Sequence, residues 1–366
     1  MTDEFRSRFP VGTTMSFAQY MDIALYDESI GFYATSGEAG RRGDFLTSPE
    51  VGPLFGALIA RRLDQQWRAL GSPDTFVVAE FGAGPGTLAR SIAFAAPECS
   101  RALRYVMIDR SARQRAGHGS HLEPWLGDLS GPELETFVRG GRSGPRYASS
   151  PEAPWGFTGV ILANELLDNL AFDIVRHDGS GGVERLDVTH DVDGLDFVAT
   201  PIELPPTLLT VVTGAEAGRW LPLQVQAGEW LSSSIARLDR GLVVVIDYGA
   251  PTAEIASRPD MGWLRTFAGQ RRGGHPLDSP GRLDITADVA IDQLATVAQP
   301  TSVTTQRRYL GDLGIAGLVD EGRRVWHERA AAPDVDALRA RSRIGEADAL
   351  LETGGLGDFL VLEWTV

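Results

Sequence analysis

The sequence predicts an α/β fold of Rossmann-like type, a mostly parallel sheet with helices on both faces, and three observations predict it. Short, almost wholly apolar segments recur at 76–80, 104–109, 159–165 and 241–249. Stretches with helical spacing of apolar residues separate several of them, and this alternation suits strands covered on both faces. Each apolar segment also ends in polar residues: Glu80, Asp109, Asn164 with Glu165, and Asp247 with Tyr248. In such sheets ligands sit at the carboxyl ends of the strands, near the point where strand order reverses. These strand ends therefore predict one site.

Taken in order, residues 1–72 read as an N-terminal helical cap segment and 73–366 as the core. Ser16-Phe17-Ala18-Gln19 fits a capping box, and Phe17, Tyr20, Met21, Ala24 and Leu25 follow at helical spacing. Ser48-Pro49-Glu50 reads as N-cap, first helical residue and first-turn acid of a helix reaching about Leu70. A strand from Phe76 to Glu80, a glycine turn and a helix from near Thr87 come next, then a second strand ending at Asp109. Gly140 to Gly156, rich in Gly, Ser, Pro and Arg, is predicted as a mobile surface loop. An inserted region at 172–228 holds hairpin strands near 172–175, 183–188 and 197–199. With the N-terminal helices it is expected to cover the substrate. A helix near 229–238 precedes the most apolar strand, and a strand-like segment at 359–364 ends the chain.

Composition narrows the chemistry. All 34 basic side chains are arginine, so lysine Schiff-base and P-loop lysine mechanisms are excluded. A net charge of −15 repels nucleic-acid phosphates and attracts basic partners, which disfavours nucleic acid and favours a basic peptide. Cys99 stands alone, and the six histidines lack helical metal-ligand spacing, so neither an intramolecular disulfide nor a metal centre is expected. No apolar run reaches the roughly 18 residues of a membrane span. Met1 to Arg6 carry acids early and lead into no apolar stretch, which reads as neither secretory signal nor organellar presequence; the expected location is cytoplasmic.

The glycine turn identifies the expected ligand. It reads Gly82-x-Gly84-x-Gly86, with Thr87 where a dinucleotide-binding turn would carry its last glycine. Glu80, two residues before it, would repel a pyrophosphate. S-adenosylmethionine has no phosphate and carries a sulfonium and an ammonium, so an acid suits it. Asp109 stands where an acid can accept hydrogen bonds from ribose hydroxyls. Asn164 is expected at the methionine end or the adenine edge, and Asp128 at the adenine amine.

On these and further blocks the sequence resembles the MidA family, which includes a mitochondrial protein-arginine methyltransferase that assists respiratory complex I assembly. The blocks are Ala24-Leu25-Tyr26 with Gly31-Phe32-Tyr33, Gly43 to Glu50, Glu80 to Gly86, Ala163 to Asp168, Ile246 to Gly249, and Asp284 to Val289. They run in order from about residue 16 to about residue 314. Departures from the family pattern are Asn169, Ala171, Phe267, the missing proline near Asp27-Glu28, and Asp109 in place of a frequent glutamate.

The resemblance implies a class I methyltransferase sheet, S-adenosylmethionine as cofactor, and methyl transfer to an arginine of a protein substrate. An arginine nucleophile needs carboxylates to localise its charge and take its proton. Glu165 and Asp168 are the candidates, Asp44 a third, with Glu50 and Tyr248 as substrate contacts. Bland alternatives stand beside these roles: a helix cap for Asp168, a helix-dipole acid for Glu50, a core edge for Tyr248. Two other functions stay open, a small-molecule N- or O-methyltransferase and a non-catalytic assembly factor that keeps the cofactor pocket. The oligomeric state is open, a homodimer included.

Overall fold

Helix α1 (Asp3–Arg8) leads into strand β1 (Thr13–Ser16) and helix α2 (Phe17–Tyr26), in a computed structural model that describes residues 3–35, 47–141, 144–268 and 271–366. The capping box forms as read: the Ser16 hydroxyl accepts the Gln19 N–H, and the Gln19 side chain accepts the Ser16 N–H. Helix α3 (Phe32–Thr35) follows.

The helix predicted from Ser48 is two helices. Thr47 is the N-cap and Ser48 the first residue of α4 (Ser48–Val51), and α5 (Pro53–Ala69) restarts after Gly52. Proline carries no N–H to continue the ladder. The Glu346 carboxylate, from the helix Val335–Leu350, accepts the Leu54 N–H at 2.8 Å and serves as the cap of α5 from far along the chain.

Eight strands form the central sheet. In chain order they begin β2 (Phe76–Phe81), β3 (Leu103–Ile108), β4 (Trp125–Asp128), β5 (Arg146–Ser150) and β6 (Phe157–Asn164). Next come β7 (Asp173–His177), β8 (Val183–His190), β9 (Leu195–Ile202) and β10 (Leu221–Leu223), all outside this sheet, and then β11 (Leu238–Asp247) within it. Spatially the sheet runs Ser302–Thr305, Leu360–Thr365, β11, β6, β2, β3, β5, β4. All pairings are parallel except those of Leu360–Thr365. The chain leaves β2 toward β3 on one side, while β6 and β11 lie on the other, so the order reverses at β2 and β6. The glycine turn and Glu165 follow those two strands.

One face of the sheet is covered by α5 and α6 (Thr87–Ala95) through Leu54, Phe55, Leu58, Leu63 and Leu88. Helix α5 thus packs with the core rather than with the N-terminal cap. On the other face Leu134, Phe137 and Leu231 pack against Val77, Ile161 and Val243.

The stretch 140–156, predicted as a mobile loop, contains β5, a buried strand between β3 and β4. Its residues, Arg-Tyr-Ala-Ser-Ser, lack the apolar run that marks the other strands. Ala148, Ser149 and Ser150 are small enough to be buried there, and Ser149 is hydrogen bonded to His118.

The inserted region forms the expected hairpins and recruits the N-terminus. Strand β8 pairs with β9 on one edge and with β7 and β1 on the other, antiparallel throughout, and β10 extends β7. Phe17, Tyr20, Phe172 and Trp263 fill a separate core beneath this sheet. Helices α1–α3 and the insert are therefore one folded cover. No described helix is long and apolar enough to cross a membrane.

Candidate active site

A cavity of about 480 Å³ opens at the strand-order reversal, bounded by the glycine turn, Glu50, Asp109, Asn164, Glu165 and Trp230. Gly82, Gly84 and Gly86 have φ of 64°, 52° and 75°, so the turn is left-handed at all three. Only glycine adopts that region without a Cβ penalty. Behind the turn Glu80 is buried and its Oε2 accepts the Tyr105 hydroxyl at 2.8 Å. Burial pushes the Glu80 carboxyl up to about 8, against the opposing Tyr105 bond. Asp109 holds the turn directly, accepting the Gly84 N–H at 3.0 Å and the Ser111 N–H at 2.8 Å. Burial still raises it to about 6.

A second cavity, also about 480 Å³, lies beside the first and is lined by Asp168, Tyr248, Arg265, Phe267, Asp284 and Asp288, among others. Among the described residues Glu165 alone lines both cavities. Its backbone sits at φ 51°, which costs a non-glycine residue on the order of 1–3 kcal/mol. Three bonds fix it there. Its N–H reaches Ile246 O at 2.8 Å, and its Oε1 accepts the Ser48 N–H at 3.1 Å and Asn164 Nδ2 at 3.0 Å. Burial, then the Asp168 charge, pushes the Glu165 carboxyl up to about 8.

Asp168 accepts the Tyr248 hydroxyl on Oδ2 at 2.5 Å. Burial lifts its carboxyl to about 6, with that bond pulling the other way. Asp247, beneath it, accepts the Leu167 and Asp168 N–H groups and is raised well above the usual range by burial and by the charges of Asp168 and Glu165. Asn164 Oδ1 and Asp168 Oδ1 are buried with no hydrogen-bond partner among the described residues. Each belongs to a residue lining one cavity. Acids and unused acceptors around a glycine turn match a cationic, phosphate-free nucleoside.

A family model described as S-adenosyl-L-methionine-dependent methyltransferase matches residues 58–308. The chain belongs to that family. It is the MidA type that the sequence resembles. This methyltransferase is 29% identical over 335 residues to "Protein arginine methyltransferase NDUFAF7, mitochondrial" of Danio rerio, covering 82% of this chain and 73% of the relative. Against the Drosophila melanogaster homolog it is 26% identical over 310 residues, covering 77% of this chain and 66% of the relative. The crystal structure of a Burkholderia thailandensis protein bound to S-adenosyl-homocysteine superposes with a TM-score of 0.77 at 26% identity, covering 99% of this chain and 90% of that one. The fold is the class I methyltransferase fold, and the cofactor is S-adenosylmethionine.

The curated relatives are mitochondrial proteins, which overturns the cytoplasmic location read from the first residues. Acids near Met1 were a weak guide, because a start-of-chain composition says little about where a protein works.

Other expectations meet the geometry unevenly. Glu80, Gly82, Gly84, Asp109 and Asn164 all line the first cavity, and Gly86 closes the turn as the N-cap of α6. Asp128 does not line it. Its side chain is 48% exposed and paired with Arg115 at 3.1 Å, because β4 is the edge strand and its end turns to solvent. The acid lining the cavity from that side is Glu152, just past the unrecognised strand β5. Glu50, expected at the substrate, lines the first cavity and accepts the Thr87 hydroxyl at 2.6 Å. Tyr248, also expected at the substrate, lines the second cavity. Asp44 lies outside the described residues.

One positioning residue escaped the sequence reading. His118 is fully buried, bonded through Nε2 to Gly84 O and through Nδ1 to Ser149 Oγ, both at 2.7 Å. A carbonyl can only accept, so Nε2 carries the proton and Nδ1 accepts from the serine. Burial lowers its pKa and favours this neutral form. Sequence spacing had tested His118 only as a metal ligand. His118→Ala strands the Gly84 carbonyl, at about 1–3 kcal/mol. Affinity for S-adenosyl-homocysteine should fall roughly tenfold by calorimetry; an unchanged affinity would show that the turn holds itself.

The raised carboxyls also set a pH dependence. Glu80 and Glu165 ionise near 4.5 when unfolded and near 8 when folded, so the folded state holds the extra protons between those values. Their stabilising contribution is complete below pH 4.5 and is lost as pH rises toward 8. The cofactor-free protein should show a Tm that declines across pH 5.5 to 8.5, with a shallower decline in Glu80→Gln. Equal slopes for parent and variant would remove Glu80 from the account.

Proposed function

We propose that this methyltransferase acts on an arginine side chain of a protein substrate. The observation that carries the reading is that Glu165 is shared by the two cavities, with Asp168, whose Oδ1 is buried without a hydrogen-bond partner among the described residues, in the wall of the second. When bound, S-adenosylmethionine supplies an electrophilic methyl group on a sulfonium.

A guanidinium is a poor nucleophile because it is protonated, and stripping its proton at pH 7 outright would cost about 8 kcal/mol, roughly 6 pKa units at 1.36 each. Carboxylates reduce that demand by drawing the positive charge onto the nitrogens that do not react. Asp168, with Oδ2 held by Tyr248, offers Oδ1 for such an N–H. Glu165 then accepts the proton lost as the nitrogen gains its methyl. A cationic acceptor favours the ionised form of both acids, so their raised pKa values fall when it enters. The chain's charge of −15 draws basic proteins toward the site, and the curated relatives bear the name protein arginine methyltransferase.

The test is incubation with a methyl-labelled donor and desalted cell extract, followed by acid hydrolysis of the protein fraction. Label should migrate as methylated arginine. Label confined to small molecules would overturn the reading.

A further inference from the structure

Tyr248 is held from two sides. Its hydroxyl bonds Asp168, and the Arg265 guanidinium carbon lies 4.4 Å from its ring centroid. Arg265 is fixed in turn by buried Asp288, whose Oδ1 accepts Arg265 Nη2 while Oδ2 accepts Arg258 Nη1. Arg265 sits on the strand Leu264–Ala268, paired with Asp284–Ala287, so two strands of the second cavity's wall carry this chain of contacts.

We infer that Arg265, anchored by Asp288 over the ring of Tyr248, is a positioning residue that keeps Asp168 as a carboxylate aimed at the methyl acceptor. The inference rests on the arginine-acceptor reading for its purpose, though not for its electrostatics.

Asp168 needs such a partner. Glu165 faces it from its own turn and Asp247 from β11, and the Asp168 charge raises the carboxyls of both. Asp284 adds a third acid in the cavity wall, bonded to Tyr33 and to Asn169. Tyr26 and Tyr33, from the cover, are phenols that interact with Asp168 without supplying positive charge. Against these, the Arg265 charge favours the ionised form, as does the Tyr248 hydroxyl. Two guanidiniums share the single Asp288 carboxylate, so that cluster keeps a surplus positive charge. A residue present only to pack on Tyr248 could be apolar; an arginine with a buried acid behind it has a second task. Arg265 does not line the cofactor cavity, so cofactor affinity serves as an internal control.

The experiment follows the Asp168 carboxyl directly, by 13C NMR of the full chain labelled at aspartate, with Asp168→Asn identifying the resonance. Arg265→Met and Arg265→Gln should raise its midpoint by about 1 pH unit, and Arg265→Lys should hold it within about 0.3. On an arginine peptide the acid limb of the kcat/KM profile should move with the midpoint, while affinity for S-adenosyl-homocysteine stays at the parent value. Using two neutral variants guards against one that fails to fold. A folded Met or Gln variant with an unmoved Asp168 midpoint would overturn the inference. A moved midpoint in a protein that methylates no arginine peptide would uphold the electrostatic role and remove the acceptor.

Discussion

Glu165→Gln is expected to lower the methyl-transfer rate by about 10²- to 10⁴-fold, the usual contribution of a positioned acid–base group. Glutamine keeps the side-chain length and the oxygen that accepts the Ser48 N–H and the Asn164 amide, at 3.1 and 3.0 Å. It also leaves the left-handed backbone at φ 51° as it was. What disappears is the capacity to carry charge and take a proton. Cofactor affinity should therefore change little, because the cavity retains its shape. Single-turnover rates measured at saturating acceptor separate these effects. A rate within a factor of three of the parent would show that Glu165 only divides the two cavities.

Gly159→Ala should produce the largest loss of stability, at least about 3 kcal/mol, the scale of severe overpacking. Gly159 lies in β6, in register with Val77 of β2 and Gly241 of β11. A Cβ at 159 would overlap the Val77 carbonyl oxygen, and one at 241 would overlap the carbonyl oxygen of Gly159. These are backbone atoms of the three central strands, so neither neighbour can swing aside as a side chain could. Separating them would loosen the parallel ladder whose strand ends lead into the glycine turn and Glu165. Urea unfolding with an unchanged m-value and a lowered midpoint is the expected signature. A midpoint equal to the parent's would mean that the strands can spread at no cost.

The central strands were legible because β2, β3, β6 and β11 are nearly continuous apolar runs, which only burial on both faces explains. Polar residues at their ends then located the site. Strand β5 was hidden for the opposite reason: beside Tyr147 its buried residues are alanine and serine, and Ser149 is satisfied by His118, 31 positions away. The same blind spot hid Glu152, which lines the first cavity just past β5 where Asp128 does not. Local signals were read well where the partners are close in sequence, as with Ser16 and Gln19. They failed where partners are distant. The cap that Glu346 gives to α5 spans 292 positions, and no window of sequence contains both residues. Asn169, a departure from the family pattern, donates to Asp284 and to Ile285 O, contacts that an apolar side chain lacks the atoms to make.

The pairing of Thr13 with His190 and of Ser16 with Asp187 imposes an order on biosynthesis. The first strand leaves the ribosome long before the segment it must join has been translated. At about 5–20 residues per second, the interval between them is roughly 10–35 s. During that time Phe17, Tyr20 and Met21, all fully covered in the finished protein, have no native shelter. The nascent chain therefore carries an adhesive amphipathic helix through nearly half of its synthesis, which makes chaperone engagement near the N-terminus a cost built into its topology.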